Sequence, residues 1–122
     1  MQHHIGTDII ELHRVQEALD KFGERFLSRI WTDAERKIYG HRTNSLAASF
    51  AAKEAVMKVL GTGNRGVAWR EIEVLNHRSG KPYITLHGRA VQEAAALGIT
   101  EIDVSMSHCH EYATAVAIGV CN

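Results

Sequence analysis

The apolar positions of the N-terminal segment change period partway along. His3 to Ile10 is β-branched around Gly6, the pattern of a short strand; Val15, Leu19, Phe22 and Phe26 then recur at intervals of four and three, the period of a helix. This predicts a strand feeding an approximately continuous helix, with Asp8 where the strand ends. Thr32-Asp33-Ala34-Glu35 has the form of a capping box, so a second helix starts there and runs to about Tyr39. From Asn44 or Ser45 to Leu60 there is neither Gly nor Pro and Ala is abundant. Gly61 follows where a glycine C-cap belongs, which predicts a longer helix.

The second half reads as two hairpins around a helix. Val67, Trp69, Ile72 and Val74 alternate with a phase slip that a bulge would accommodate. Asn76 to Gly80 is a turn, and Tyr83 to Leu86 resumes the alternation. Gly88 to Leu97 is Ala-rich and stops at Gly98. Ile102, Val104, Met106 and His108 alternate with Asp103, Ser105 and Ser107, and Tyr112 to Val120 follows a short polar turn. The order of elements implies an α+β fold: a small antiparallel or mixed sheet with helices packed on one face.

With 122 residues and 45% hydrophobic content, the chain is expected to form a single domain, 1–122, with a core of its own. Fourteen basic residues balance fourteen acidic ones, so no whole-chain field favours nucleic acid or an anionic membrane. No apolar run approaches the length of a spanning helix, and the N-terminus lacks the features of a signal peptide. Cys109 and Cys121 have no C-x-x-C spacing and read as buried thiols in a reducing compartment, so a cytoplasmic protein is expected.

Several groups could carry chemistry. On the long helix Lys53, Glu54 and Lys58 interrupt an apolar pattern, with Glu54 and Lys58 four apart and hence neighbours on its surface. A carboxylate beside two ammonium groups suits a hard metal with the phosphate it carries; the same spacing also describes an ordinary surface pair. Asp8 is a second carboxylate, readable as a ligand or as a turn former, and Mg²⁺ commonly needs only one or two protein carboxylates. Gly61 to Gly66 could cradle a phosphate but lacks a P-loop ending, and doubles as a capped turn. Ser79-Gly80-Lys81-Pro82 reads as a hairpin turn from which Lys81 can reach a phosphate. Eight histidines offer no Cys/His quartet for zinc, and only His108, at a strand end, stands out. Arg14, Lys21, Arg25 and Arg29 would form one basic stripe on a continuous helix, either a solvated face or a dock for an acidic partner.

Taken together, Gly6-Thr7-Asp8-Ile9-Ile10-Glu11-Leu12, Phe50-Ala51-Ala52-Lys53-Glu54-Ala55 with Lys58, Gly61-Thr62-Gly63, Gly80-Lys81-Pro82 and Ser105-Met106-Ser107-His108 with Glu111-Tyr112-Ala113 resemble the holo-acyl-carrier-protein synthases, of the 4'-phosphopantetheinyl transferase family. The resemblance spans essentially the whole chain. It implies transfer of phosphopantetheine from coenzyme A to a serine of apo acyl carrier protein, in support of fatty acid biosynthesis. It further implies Asp8 and Glu54 as Mg²⁺ ligands, Lys58 as the group neutralising the pyrophosphate, and Gly63, Lys81, Pro82 and His108 as parts of the coenzyme A site. Arg14, Lys21, Arg25 and Arg29 would meet the carrier protein, and a homotrimer is implied. The chain departs from the family at Ser49, where many members carry an arginine that contacts coenzyme A; Arg42 and Arg65 are the candidates to replace it. Two other functions fit parts of the pattern: a metal-dependent nuclease, and a trimeric module that binds coenzyme A or a carrier protein without catalysis.

Overall fold

The computed structural model of the chain describes residues 2–63 and 65–121. A three-stranded sheet is built from β1 (Gln2–Glu11), β4 (Ile99–His108) and β5 (Tyr112–Cys121) in the order β1-β5-β4, and a separate hairpin from β2 (Ile72–Asn76) and β3 (Pro82–Leu86). All pairings are antiparallel, so the expected α+β class holds without any mixed sheet. The helices are α1 (Leu12–Phe22), α2 (Glu24–Ile30), α3 (Asp33–Tyr39), α4 (Thr43–Leu60) and α5 (Gly88–Ala96).

The strand β5 explains how α4 seats. Its inward positions Ala113, Ala115, Ala117, Gly119 and Cys121 are small and buried, and α4 answers with buried Ala51, Ala52 and Ala55. Small residues on both sides let helix and sheet approach closely. The tightest point is on β1: a Cβ on Gly6 would lie 2.0 Å from the carbonyl oxygen of Ala55 and 3.0 Å from Cβ of Lys58. The other face of the sheet is uncovered, with Ile5 and Ile9 66% and 63% exposed and Val116, Ile118 and Tyr112 beside them.

Four local expectations change. The first helix is broken: Gly23 adopts φ 53°, its N–H closes α1 on Leu19 O, and α2 restarts from its carbonyl. Glycine reaches this left-handed backbone at little cost, so the helix axis turns there. The phase slip near Trp69 is a 3-10 turn, Trp69–Glu71, with the Glu71 carboxylate accepting from Ala68 N and Arg89 N; the bulge lies in β4, between Ile99 and Glu101. Strand β1 continues three residues past Asp8, pairing Glu11 with Tyr112. Cys121 is buried with its thiol on Leu97 O at 3.2 Å, but Cys109 is exposed; both are free.

The capping box at Thr32 and Glu35 and the αL cap at Gly61 are present as expected. Gly6→Ala is expected to force α4 off β1 at a cost of about 1–3 kcal/mol, as overpacking does. Urea denaturation should show a lower midpoint with an unchanged slope; an unchanged midpoint would mean that the contact at Ala55 relaxes freely.

Candidate active site

The close contact at Gly6 has a consequence two residues along the strand. Positions of one parity on β1 face α4, so Asp8 points to the same side as Gly6, toward the turn of α4 that carries Glu54 and Lys58. Lys58 Nζ donates to the Thr7 carbonyl at 2.6 Å and to Asp8 Oδ1 at 3.2 Å, tying the helix to the strand. The Asp8 side chain is 17% exposed and that of Lys58 52%, so the group sits at the rim of the core.

Glu54, one turn before Lys58, completes the cluster. Its carboxyl is pushed up from the ordinary carboxylate range, first by partial burial and then by the Asp8 carboxylate, with Lys58 pulling the other way. Two carboxylates thus face one ammonium, and the repulsion between them is only partly offset. Hard oxygen donors carrying excess negative charge fit a hard divalent cation that completes its shell with water and phosphate. Asp8 and Glu54 are the residues that could hold one.

Lys53 does not join this cluster. It is fully buried, its Nζ donating to Glu35 Oε1 at 2.8 Å, Trp69 O at 3.1 Å and Ile72 O at 2.5 Å. Successive helix residues differ by about 100° in direction, so Lys53 and Glu54 leave α4 toward different neighbours. Burial pushes the Lys53 ammonium below the usual lysine range, against the pull of the Glu35 carboxylate. Glu35 was legible only as a capping residue; the signal of its second duty is a lysine inside an alanine-rich buried helix, which demands a partner.

The remaining candidates lie around this centre. His108 ends β4 on the face shared by Met106, and the row Asp8, Ala115, Met106 runs across the sheet, so His108 stands one two-residue step, about 7 Å, from that row. It lines an open cavity of 610 Å³ with Leu12, Thr43, Asn44, Cys109 and His110. Gly63 follows α4, but the Gly61 and Thr62 N–H groups are bonded to Lys58 and Met57 carbonyls, so that much of the loop serves as a helix cap. Asn64 lies outside the described residues. Lys81 is exposed, 3.8 Å from Asp103, and Pro82 opens β3.

Ser49 is buried, its hydroxyl accepting from Trp31 Nε1 at 2.8 Å and donating to Leu46 O. Arg42, one candidate to replace the missing arginine, is engaged with the Ile38 and Tyr39 carbonyls at the end of α3. The basic residues divide between two helices: Arg14, paired with Glu11 at 3.2 Å, and Lys21, over the Phe22 ring, on α1; Arg25 and Arg29 on α2. A single continuous stripe is therefore replaced by two short exposed ones.

Residues 4–117 match the model of the 4'-phosphopantetheinyl transferase superfamily. A holo-[acyl-carrier-protein] synthase of Herpetosiphon aurantiacus is 46% identical over 122 residues, covering 94% of this chain and 96% of its own. Among solved structures, the holo-[acyl-carrier-protein] synthase of Neisseria meningitidis superposes with TM-score 0.88 at 35% identity, covering 96% and 97% of the two chains. That of Helicobacter pylori, in complex with coenzyme A, gives 0.87 at 27% identity, covering 95% and 99%.

The electrostatics carry a stability expectation with a definite sign. A carboxyl whose pKa is raised on folding binds its proton more tightly in the native state. Its ionised form therefore costs stability once the pH rises above the unfolded value. Glu54→Gln should raise the thermal midpoint at neutral pH, an increment that fades as the pH falls through the carboxylate range. Calorimetry at pH 4 and pH 7.5 checks this, and a lower midpoint at pH 7.5 would mean that the Lys58 attraction outweighs burial and Asp8.

Proposed function

Because the chain belongs to the 4'-phosphopantetheinyl transferase superfamily and is a transferase of that class, we propose that it moves the phosphopantetheine arm of coenzyme A onto a serine of apo acyl carrier protein, releasing adenosine 3',5'-bisphosphate. The observation that carries this reading is the meeting of Asp8, Glu54 and Lys58 where α4 crosses β1. The serine oxygen bonds to the phosphorus that bears the pantetheine arm, and the bridging oxygen leaves with the bisphosphate. Such displacement requires positioning and charge neutralisation more than covalent chemistry from the protein.

Mg²⁺ held by Asp8 and Glu54 would supply charge neutralisation at the pyrophosphate and polarise the bond under attack. Lys58 adds a second positive charge beside the same oxygens. Glu54 is assigned to take the serine proton, directly or through a water. Gly63, Lys81, Pro82 and His108 are assigned to the coenzyme A side, and Arg14, Lys21, Arg25 and Arg29 to an acidic carrier protein, which their exposure on α1 and α2 favours.

We further assign a homotrimer, supported by the uncovered apolar face around Ile5, Ile9, Val116 and Ile118. The single domain would act in the cytoplasm, in fatty acid synthesis; among the described residues no helix is long and apolar enough to cross a membrane.

Incubation of apo acyl carrier protein with this protein, coenzyme A and Mg²⁺ should add one phosphopantetheine to the carrier's intact mass, and chelator should abolish the gain. No gain across several carriers would sink the transfer reaction and favour a binding module. In the same assay Arg14→Glu should raise KM for the carrier with KM for coenzyme A nearly unchanged; equal rises would remove the docking role. Native mass spectrometry should find three chains per particle, and a monomer at micromolar concentration would refute the trimer.

A further inference from the structure

We propose that the buried Lys53–Glu35 ion pair is a positioning device for the reaction: it fixes the roll of α4 about its own axis, so that Glu54 and Lys58 face Asp8. This rests on the reading of those three residues as the metal and pyrophosphate groups.

The need for such a device follows from how α4 packs. Its buried surface combines Leu46, Val56, Met57, Val59 and Leu60 with Ala47, Ala48, Ala51, Ala52 and Ala55, and the alanines have small partners on β5, whose inward positions are Ala113, Ala115, Ala117 and Gly119. Helix rotation is normally fixed by side-chain ridges seated in grooves, and alanine ridges are shallow. Apolar burial is also non-directional, so it holds the helix against the sheet better than it sets its rotation. Where alanine meets alanine the contact resists a roll of α4 less than larger side chains do, and a roll would carry Glu54 away from Asp8.

Directional contacts stand on the stripe that could prevent this. Lys53 spends all three of its donors, on Glu35, Trp69 O and Ile72 O. Glu35 is equally committed: Oε1 also accepts from Thr32 N at 2.8 Å and Oε2 from Val74 N at 2.8 Å. The pair therefore locks α4 to the start of α3, to the 3-10 turn and to β2 in one fully buried junction. One helical turn earlier on the same stripe, Ser49 holds Trp31 Nε1. Buried ion pairs are often replaceable by apolar residues without loss of stability, so the retention of a charge here is better explained by geometry than by stability. Glu54 lies next to Lys53 in sequence and turns to the opposite task.

The test uses two variants, Lys53→Met and the neutral pair Lys53→Met/Glu35→Gln, whose amide still offers an oxygen to the Val74 or Thr32 N–H. Circular dichroism and urea unfolding establish folding. Mn²⁺ alone, followed by the loss of its free paramagnetic resonance signal, reports the carboxylate pair independently of turnover, and steady-state assays give kcat and KM for coenzyme A.

The folded double variant should lose about 10–100-fold in kcat and bind Mn²⁺ about tenfold more weakly, as misplacement of supported groups does. KM for coenzyme A should stay within about twofold, because uniform binding is not what the pair controls. A folded double variant with wild-type kcat and Mn²⁺ uptake overturns the proposal, as does a loss of activity that only tracks the fraction folded. Failure of both variants to unfold cooperatively also overturns it, since the pair would then serve the whole fold. Wild-type protein that takes up no Mn²⁺ overturns the reading of the site itself and the proposal with it.

Discussion

The backbones of α4 and β1 meet at Ala55 and Gly6, and most of the site's geometry depends on that contact. A hydrogen at Gly6 occupies the place where any side chain would strike the Ala55 carbonyl. The approach allows Lys58 to reach across to the Thr7 carbonyl and to Asp8, and it sets Glu54 within electrostatic range of the same carboxylate. Alanines along β5 continue the close packing across the sheet, and Gly119 extends it under Val59 near the far end of the helix. An alanine- and glycine-lined seam gives up some of the apolar area that larger side chains would bury. What it supplies instead is proximity between a strand and a helix that each carry a charge.

The two sides of α4 treat charge in opposite ways. Toward α3 and β2, Lys53 and Glu35 are withdrawn from water, and each hydrogen-bonding position used is matched by a partner. Burial of an ion pair is tolerable only under that condition. Toward β1, Asp8 and Glu54 are within electrostatic range of each other while Lys58 pairs with Asp8, a partly unrelieved repulsion at the edge of solvent. Such a preformed imbalance favours uptake of a divalent cation, whose charge would relieve it. Frustration at this rim and satisfaction in the core are parts of one arrangement on one helix.

The exposed surfaces divide in a similar way. The sheet covers one face with α4 and leaves Ile5, Ile9, Val116 and Ile118 on the other, more apolar surface than a solvated antiparallel sheet usually shows. The helices α1 and α2 carry Arg14, Lys21, Arg25 and Arg29 on a part of the molecule that Gly23 bends, so the basic groups spread around a corner.

Much of this was legible in the chain itself. The capping box at Thr32, the glycine cap at Gly61, the alternation of β5 and the alanine-rich run of α4 are local signals, because backbone hydrogen bonding and side-chain period act over a few residues. Asp8, Glu54 and Lys58 could be named because their residue types and their motif resemblance carry that information. Their meeting could not be derived from period alone, since it depends on a contact between residues far apart in sequence. The same limit explains the misplacement of Lys53: sequence adjacency grouped it with Glu54, whereas Glu35, eighteen residues earlier, decided where it points. The break at Gly23 and the 3-10 turn held by Glu71 were likewise decided by backbone freedom and by carboxylate contacts that only the folded chain brings into reach. Sequence determined which elements form and which residues could react; tertiary packing decided which of them meet, because charge and steric contact act through space and not along the chain.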